Sequence, residues 1–452
     1  MASRNSLDMT SGPILRKLLL FAYPLVISTL VSTLYDVTDK FIAGKFIGDN
    51  AMAAIGATTP LINLLSNFFL GLASGVSVLC GNYIGGKRDG DLRECIHTAP
   101  VLGTLCGLLA SVVGLFCCKP LLLTTGTPDT IFSDAYVYMA VRMLGLPFAV
   151  ANNFCLCILT AHGDTKRVTL SGLLSGLVNV LGNVLFVAII PMGLGGIALA
   201  TILSQALALS IKLVILFSPK DIYRLRFSKL RFHWRHAKEL LINGIPVGLN
   251  NIVFSFSNTM LQSSVNSFGP TVIAGNALSD TVFNLAGAFP VQINAACGCA
   301  VAQCFGAANY RRIADVVKKG ILTCVFLVAL AATTMTLFSK PLMMLFTEDP
   351  AVAAAGTPKL LFSCWGYLIY SFTLIYSSAL KGMRRSSSML ILNTAGICLP
   401  RLLWVWFVFP FFASPNMLYL IYPVSYLISA CLLCIVYRRV FKKTYAQGLK
   451  MA

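Results

Sequence analysis

Charge is what this sequence has least of. Only 11% of its 452 residues are Asp, Glu, Lys or Arg and 57% are apolar, where a soluble domain carries about 25% charged residues. That excludes a water-soluble globule, and the apolar runs, which recur from residue 14 to residue 437, make lipid the solvent. Acids are the scarcest charges, 16 against 35 basic residues for a net +19. In a membrane protein such an excess reports topology rather than a polyanionic ligand, so no nucleic-acid partner is expected. A nucleotide-binding GxxxxGK[ST] loop is missing, which leaves an ion gradient as the default energy source. The four histidines, His97, His162, His233 and His236, fall in or near basic loops and are poor candidates for a metal site or a proton relay. Without an evident nucleophile and base pair or a His–metal cluster, an intramembrane enzyme is not expected. No cofactor is expected either. Cysteine is plentiful, 15 residues, but most lie inside apolar runs, where a thiol is a small hydrophobe. The Cys431/Cys434 CxxC has no polar shell in ISACLLCIVY and reads as packing.

What the sequence does hold is twelve apolar segments. The first begins near residue 14 and reads as a permanent span rather than a cleavable signal; the fourth is read as 131–160 and the tenth as 351–380. Pro24, Pro246 and Pro290 fall inside spans and are expected to bend them. With these spans, 27 of the 35 Lys and Arg fall on one side, Lys40, Lys45, Lys119, Lys340 and Lys359 on the other, and Arg142, Lys212 and Arg401 within spans. Both termini are therefore expected to be cytoplasmic. The halves align at an offset near 221: Lys119-Pro120-Leu121 recurs as Lys340-Pro341-Leu342, Gly48 as Gly269 and Asn63-Leu64 as Asn284-Leu285. Six spans per half make the repeat parallel. The expected architecture is an all-α polytopic membrane protein with an N-lobe at 1–217, a basic cytoplasmic linker at 218–237 and a C-lobe at 238–452, a geometry suited to alternating access.

Carboxylates inside spans are costly and usually face a cavity or the bundle interior. Asp36 and Asp39 end the first span, three residues apart on one helix face. Asp280 lies in the eighth span, one turn from Asn276 and Asn284. Two acids on one face oppose each other's ionisation, so either could take a proton; the alternatives are a cap paired with Lys40 or Lys45 for Asp39, a solvated rim charge for Asp36 and a structural carboxyl for Asp280. Asn179 and Asn183 stripe the fifth span and need partners, either another helix or a bound ion. Arg401 is a buried cation for which Asp280 is one conceivable partner.

The run LYDVTDKFIAGKFIGDNAMAAIGATTPLINLLSNFFLGLASG from Leu34 to Gly75, with AHGDTKR at Ala161 to Arg167, GLGGIALATILSQ at Gly193 to Gln205 and AQCFGAANYRR at Ala302 to Arg312, resembles the multidrug and toxic compound extrusion (MATE) family. The resemblance spans all twelve segments. It implies two six-helix lobes that export organic cations in exchange for protons or sodium ions. It also implies an N-lobe ion site at Asp39 with Asn179, Asn183, Thr201 and Tyr138, with Asp36 beside it where many relatives carry Asn. Asp36, Asp280, Asn276 and Asn284 are the residues expected to line the substrate cavity. NorM-type relatives have a C-lobe carboxylate where this chain has Phe254, so the chain is read as closer to the DinF-like branch, coupling through the N-lobe. The expected function is an ion-coupled antiporter, favouring protons, in the plasma membrane, monomeric and surrounded by membrane lipid. The alternative is a flippase of a lipid-linked saccharide or other amphipathic metabolite.

Overall fold

The computed structural model describes residues 7–218, 224–226 and 231–451, apart from the side chains of Asp36, Asp49, Leu285, Ala286 and residues 447–451. Much of the basic linker therefore lies outside the described residues. Every regular element among the described residues is helical. In chain order these are α1 (Ile14–Ile42), α2 (Asp49–Gly85), α3 (Asp89–Thr124), α4 (Asp129–Leu144), α5 (Leu146–Ala161), α6 (Thr165–Asn183), α7 (Gly193–Phe217), α8 (Trp234–Asn266), α9 (Pro270–Gly306), α10 (Tyr310–Leu337), α11 (Ser339–Met344), α12 (Pro350–Gly382), α13 (Ser386–Asn393), α14 (Leu399–Leu403) and α15 (Pro415–Met451). Among the described residues, eleven helical segments are long and apolar enough to cross a bilayer, and α4 with α5 makes a twelfth when the pair is taken as one span. The chain is thus an all-α polytopic membrane protein.

The fourth span, read as 131–160, is a bent pair: α4 and α5 meet at 46°. Pro147, in the first turn of α5, has no N–H for the Met143 carbonyl one turn back, so the hydrogen-bond ladder breaks there. Pro24, Pro246 and Pro290 lie inside α1, α8 and α9, each of which continues past its proline. Helix starts follow ordinary capping chemistry. The Asp164 carboxylate accepts from the Arg167 N–H at the start of α6, Asn309 accepts from Arg312 at the start of α10, and Asp349 accepts from Ala351 at the start of α12, whose first residue is Pro350.

The backbone itself carries the 221-residue period. Left-handed conformations occur at Gly48 and Gly269, at Lys87 and Ala308, and at Gly163 and Arg384, each pair 221 positions apart. Matched turns of this kind at non-glycine residues are costly, so their recurrence reflects the same connections made twice.

Contacts divide the chain into two compact units, one built chiefly from Pro24–Ile84 and Arg88–Gly248, the other chiefly from Met9–Tyr23 and Leu249–Ala452. In the first, α3 packs on α5 and α6 on α7; in the second, α12 packs on α9, α10 and α15. Large apolar side chains such as Phe116, Val214, Phe326 and Leu337 point outward, as lipid-facing residues must. Within the first unit α2 and α8 cross through glycine: a Cβ on Gly75 would sit 2.5 Å from the Leu240 carbonyl oxygen, and one on Gly244 would run into the Leu72 backbone. Small residues let membrane helices approach closely where no hydrophobic force separates protein from lipid. Gly75→Val should therefore lower the melting temperature of the purified protein by several degrees, an overpacking penalty of about 1–3 kcal/mol. An unchanged melt would show that the crossing is looser than this.

Candidate functional site

In the first unit the structure gathers a polar cluster from three helices. Asn183 Nδ2 donates to Asp39 Oδ1 at 2.5 Å and lies 3.4 Å from Asn179 Oδ1, while Asn179 Nδ2 donates to Thr201 Oγ1 at 3.4 Å. The Thr201 hydroxyl in turn donates to the Ile197 carbonyl one helical turn back. Asn179 and Asn183 share one face because they are four apart on α6, and both are buried, Asn183 completely. Asp39, in the last turn of α1, is half-buried. Tyr138 of α4 is also buried, in an apolar cluster with Ile42, Ala43, Met139, Val187 and Ile197 that packs around this end of the unit. The Asp36 side chain lies outside the described residues.

Both helices that supply charge and amide change winding next to the cluster. α1 passes into a π-helical turn over Ala43–Ile47, and α6 does so over Val184–Ile189, directly after Asn183. The two π turns pack on each other and on α7. π turns leave carbonyl and side-chain groups displaced from the regular ladder and are frequent at functional sites.

One atom in this network is unsatisfied: Asn183 Oδ1 is buried with no hydrogen-bond partner. Leaving a buried acceptor unpaired costs about 1–3 kcal/mol, and this one adjoins a carboxylate and further oxygen acceptors. Such a donor set is all hard oxygen, suited to a proton or an alkali cation and unsuited to a soft metal.

The second group of expected residues is less closely knit. Asp280 Oδ2 forms an ion pair with Lys359 Nζ at 2.6 Å, and the same ammonium lies 3.4 Å from the Asn276 carbonyl oxygen. Asn276 is buried and its Nδ2 donates to Gln262 Oε1 at 2.7 Å, whereas Asn284 is exposed. Lys359 was counted among the outer charges although it falls inside the tenth span, read as 351–380; it is 3% exposed within α12. The helix start at Asp349-Pro350 carried that information, because it puts Lys359 nine residues inside the helix. The partner for Arg401 also differs from the one considered. Its Nη1 donates to Asn258 Oδ1 at 2.7 Å and its Nε to Ser425 Oγ at 3.2 Å. The guanidinium carbon lies 5.3 Å from the Phe254 ring centre, 4.9 Å from that of Tyr422 and 5.3 Å from that of Tyr426. Lys212 is likewise buried, donating to Asn152 Oδ1 at 2.7 Å.

His236 sits in the first turn of α8, next to the basic linker as expected. It is fully buried on α8, with Nε2 3.1 Å from Glu94 Oε2 and Nδ1 3.3 Å from the Tyr83 hydroxyl.

The apolar helices with a partly buried acid–amide cluster define an integral membrane protein. A family model described as MatE matches residues 24–185 and again 246–406, and the chain belongs to that family; it is a transporter, not an enzyme. The chain is 26% identical over 81% of its length to a probable multidrug resistance protein, YoeA, of Bacillus subtilis, covering 81% of that protein. It is 23% identical over 86% of its length to an FAD transporter of Shewanella oneidensis, covering 87% of it. A solved structure of the outward-facing conformation of a multidrug resistance MATE family transporter superposes with a TM-score of 0.89 at 19% identity, covering 98% of this chain and 99% of that one; at that identity the likeness shows the fold.

Proposed function

We propose that the protein is a secondary antiporter that exports organic cations across the plasma membrane, driven by an ion entering at the Asp39 cluster. In this reading both termini are cytoplasmic, and lobes at 1–217 and 238–452, joined by the basic linker 218–237, alternate access to a cavity. The observation that carries it is the orphaned Asn183 Oδ1 beside Asp39. With Asp39 ionised, the Asn183 amide nitrogen donates to it. With Asp39 protonated, a half-turn of the amide presents Oδ1 to the new O–H, so the same side chain serves both protonation states. Exchange of protonation then rearranges bonds to α6 and, through Asn179, to Thr201 of α7. Ion and cargo drive each other only through different affinities for the two conformations.

The Arg401 environment supports coupling through this unit alone. A fixed guanidinium 5.3 Å from Phe254 leaves no place for a second exchangeable cation where NorM-type relatives hold a carboxylate. The buried cations Lys212, Lys359 and Arg401 are each engaged by protein groups, which favours a cationic cargo over an anionic one such as a flavin nucleotide.

Everted vesicles test the reading, with pH and sodium gradients imposed separately. Ethidium movement should follow the proton gradient and be unaffected by sodium alone. Movement driven only by sodium would replace the coupling ion, and export of an anionic flavin with none of ethidium would overturn the cargo class.

A further inference from the structure

The second unit carries an apolar groove of about 590 Å³ on its outer face, and we propose that it holds one acyl chain of an anionic phospholipid whose phosphate sits at Arg438. The groove is lined by Val325 of α10, Phe372 and Tyr376 of α12, and Leu427, Ile435 and Arg438 of α15. Its walls are exposed apolar side chains, among them Leu427 and Ile435, and its polar features lie at one end: the Tyr376 hydroxyl, within 3.6 Å of Cys434 Sγ, and the Arg438 guanidinium. The Cys431/Cys434 pair, with no metal-binding surroundings in the sequence, lines this groove.

Length fixes the class of occupant. From Leu427 to Arg438 is eleven residues along α15, roughly 16 Å at about 1.5 Å per residue, close to half of a bilayer core about 30 Å thick. The groove is therefore one leaflet deep. Arg438 lies 23 residues after Pro415 at the start of α15, roughly 35 Å along the helix, which sets its charge at headgroup depth beyond the hydrocarbon core.

Charge fixes the headgroup. After Asp349 the chain has no Asp or Glu at all against ten Lys and Arg, and Arg438 has no carboxylate partner among the described residues. Arg439, Lys442 and Lys443 follow it on the same helix. A counter-charge for this end must come from outside the last quarter of the chain, and anionic lipid supplies it at the surface where such residues gather. A ladder of rings, Tyr376, Tyr437, Phe441 and Tyr445, with centroids 5.2, 5.7 and 6.0 Å apart in turn, continues past the groove mouth as an interfacial aromatic belt does. In the orientation proposed above the leaflet is the cytoplasmic one; the binding itself does not depend on that orientation or on transport.

The test is native mass spectrometry of the full chain in a non-ionic detergent, with phosphatidylglycerol and phosphatidylcholine of matched acyl chains added in equal amounts. One phosphatidylglycerol should remain bound with about fivefold preference, which corresponds to about 1 kcal/mol per basic residue near an anionic surface. Arg438→Gln should bring that preference to about one, Ala430→Trp, which fills the groove, should release both lipids, and the exposed-site control Arg311→Gln should change neither. Equal binding of the two lipids by the unaltered protein, or a preference that survives Arg438→Gln, would overturn the proposal. So would retained lipid in a folded Ala430→Trp protein, or a dimer appearing in place of the lipid-bound monomer, which would assign the groove to a second copy. Should Ala430→Trp not fold, Arg438→Gln decides alone.

Discussion

Asp39→Asn is expected to abolish ion-driven efflux while leaving the protein folded. The substitution keeps the size of the side chain, and an amide at position 39 can still pair with Asn183 by one rotation of either group. The Asn183–Asn179–Thr201 network therefore survives, and the melting temperature should stay within a few degrees of the unaltered value. What is lost is the exchangeable charge. One elementary charge moving through about 100 mV supplies roughly 2.3 kcal/mol, enough to sustain nearly a fifty-fold cargo gradient. Without it the carrier can only equilibrate its cargo. Ethidium retained by cells expressing the variant should match that of cells carrying no transporter, with thermal melting of the purified variant as the folding check. Wild-type efflux from the variant would remove Asp39 from the coupling step.

The second large effect concerns the Asp280–Lys359 pair, and the two halves of the pair should not be equivalent. Lys359 is 4% exposed at its side chain and Asp280 is 52% exposed. Removing the acid by Asp280→Asn strands a buried ammonium, whereas removing the base by Lys359→Met leaves a carboxylate that can still be hydrated. Breaking a fully buried pair costs about 3–5 kcal/mol; because the Asp280 side is half open, about 2 kcal/mol is expected for Asp280→Asn and well under 1 for Lys359→Met. The Asp280→Asn/Lys359→Met double variant should recover most of the loss, since the stranded charge is gone. Thermal or denaturant unfolding of the three purified variants reads this directly. Equal losses from both single variants would contradict the asymmetry argued from the burial of the two side chains.

Much of this arrangement could be read before any coordinates, and the reasons are specific. Asn179 and Asn183 were legible as a stripe because helix periodicity places residues four apart on one face, and apolar surroundings demand a partner for two amides. Asp39 stood out because an acid inside a span is costly. That these groups meet Thr201 required the packing of α1, α6 and α7, which periodicity does not encode; the family resemblance supplied it. The repeat was visible in matched side chains such as Gly48 and Gly269, but the equivalence of Lys87 with Ala308 and of Gly163 with Arg384 is a property of the backbone, carried by residues that share no chemistry. Lys359 was misplaced because a lysine near a span boundary was counted as a loop charge, although the Asp349-Pro350 helix start lay nine residues earlier. The surroundings of Arg401 were beyond reach: Phe254, Asn258, Tyr422 and Tyr426 come from helices more than 100 residues apart in sequence, and no local pattern joins them. The π turns next to Asp39 and Asn183 leave no compositional mark either, since their residues are as apolar as the helices they interrupt.

The central claim is that ion and cargo oppose each other through Asp39, and equilibrium binding tests it most directly. Ethidium affinity of the purified protein is measured across pH 5 to 8 for the unaltered chain and for Asp39→Asn. Linkage between two sites is typically worth about 1–3 kcal/mol, or roughly 5- to 150-fold in affinity. The account predicts that acidification weakens ethidium binding by a factor in that range in the unaltered protein and leaves Asp39→Asn flat. The same pH dependence in both proteins, or none in either, would contradict it.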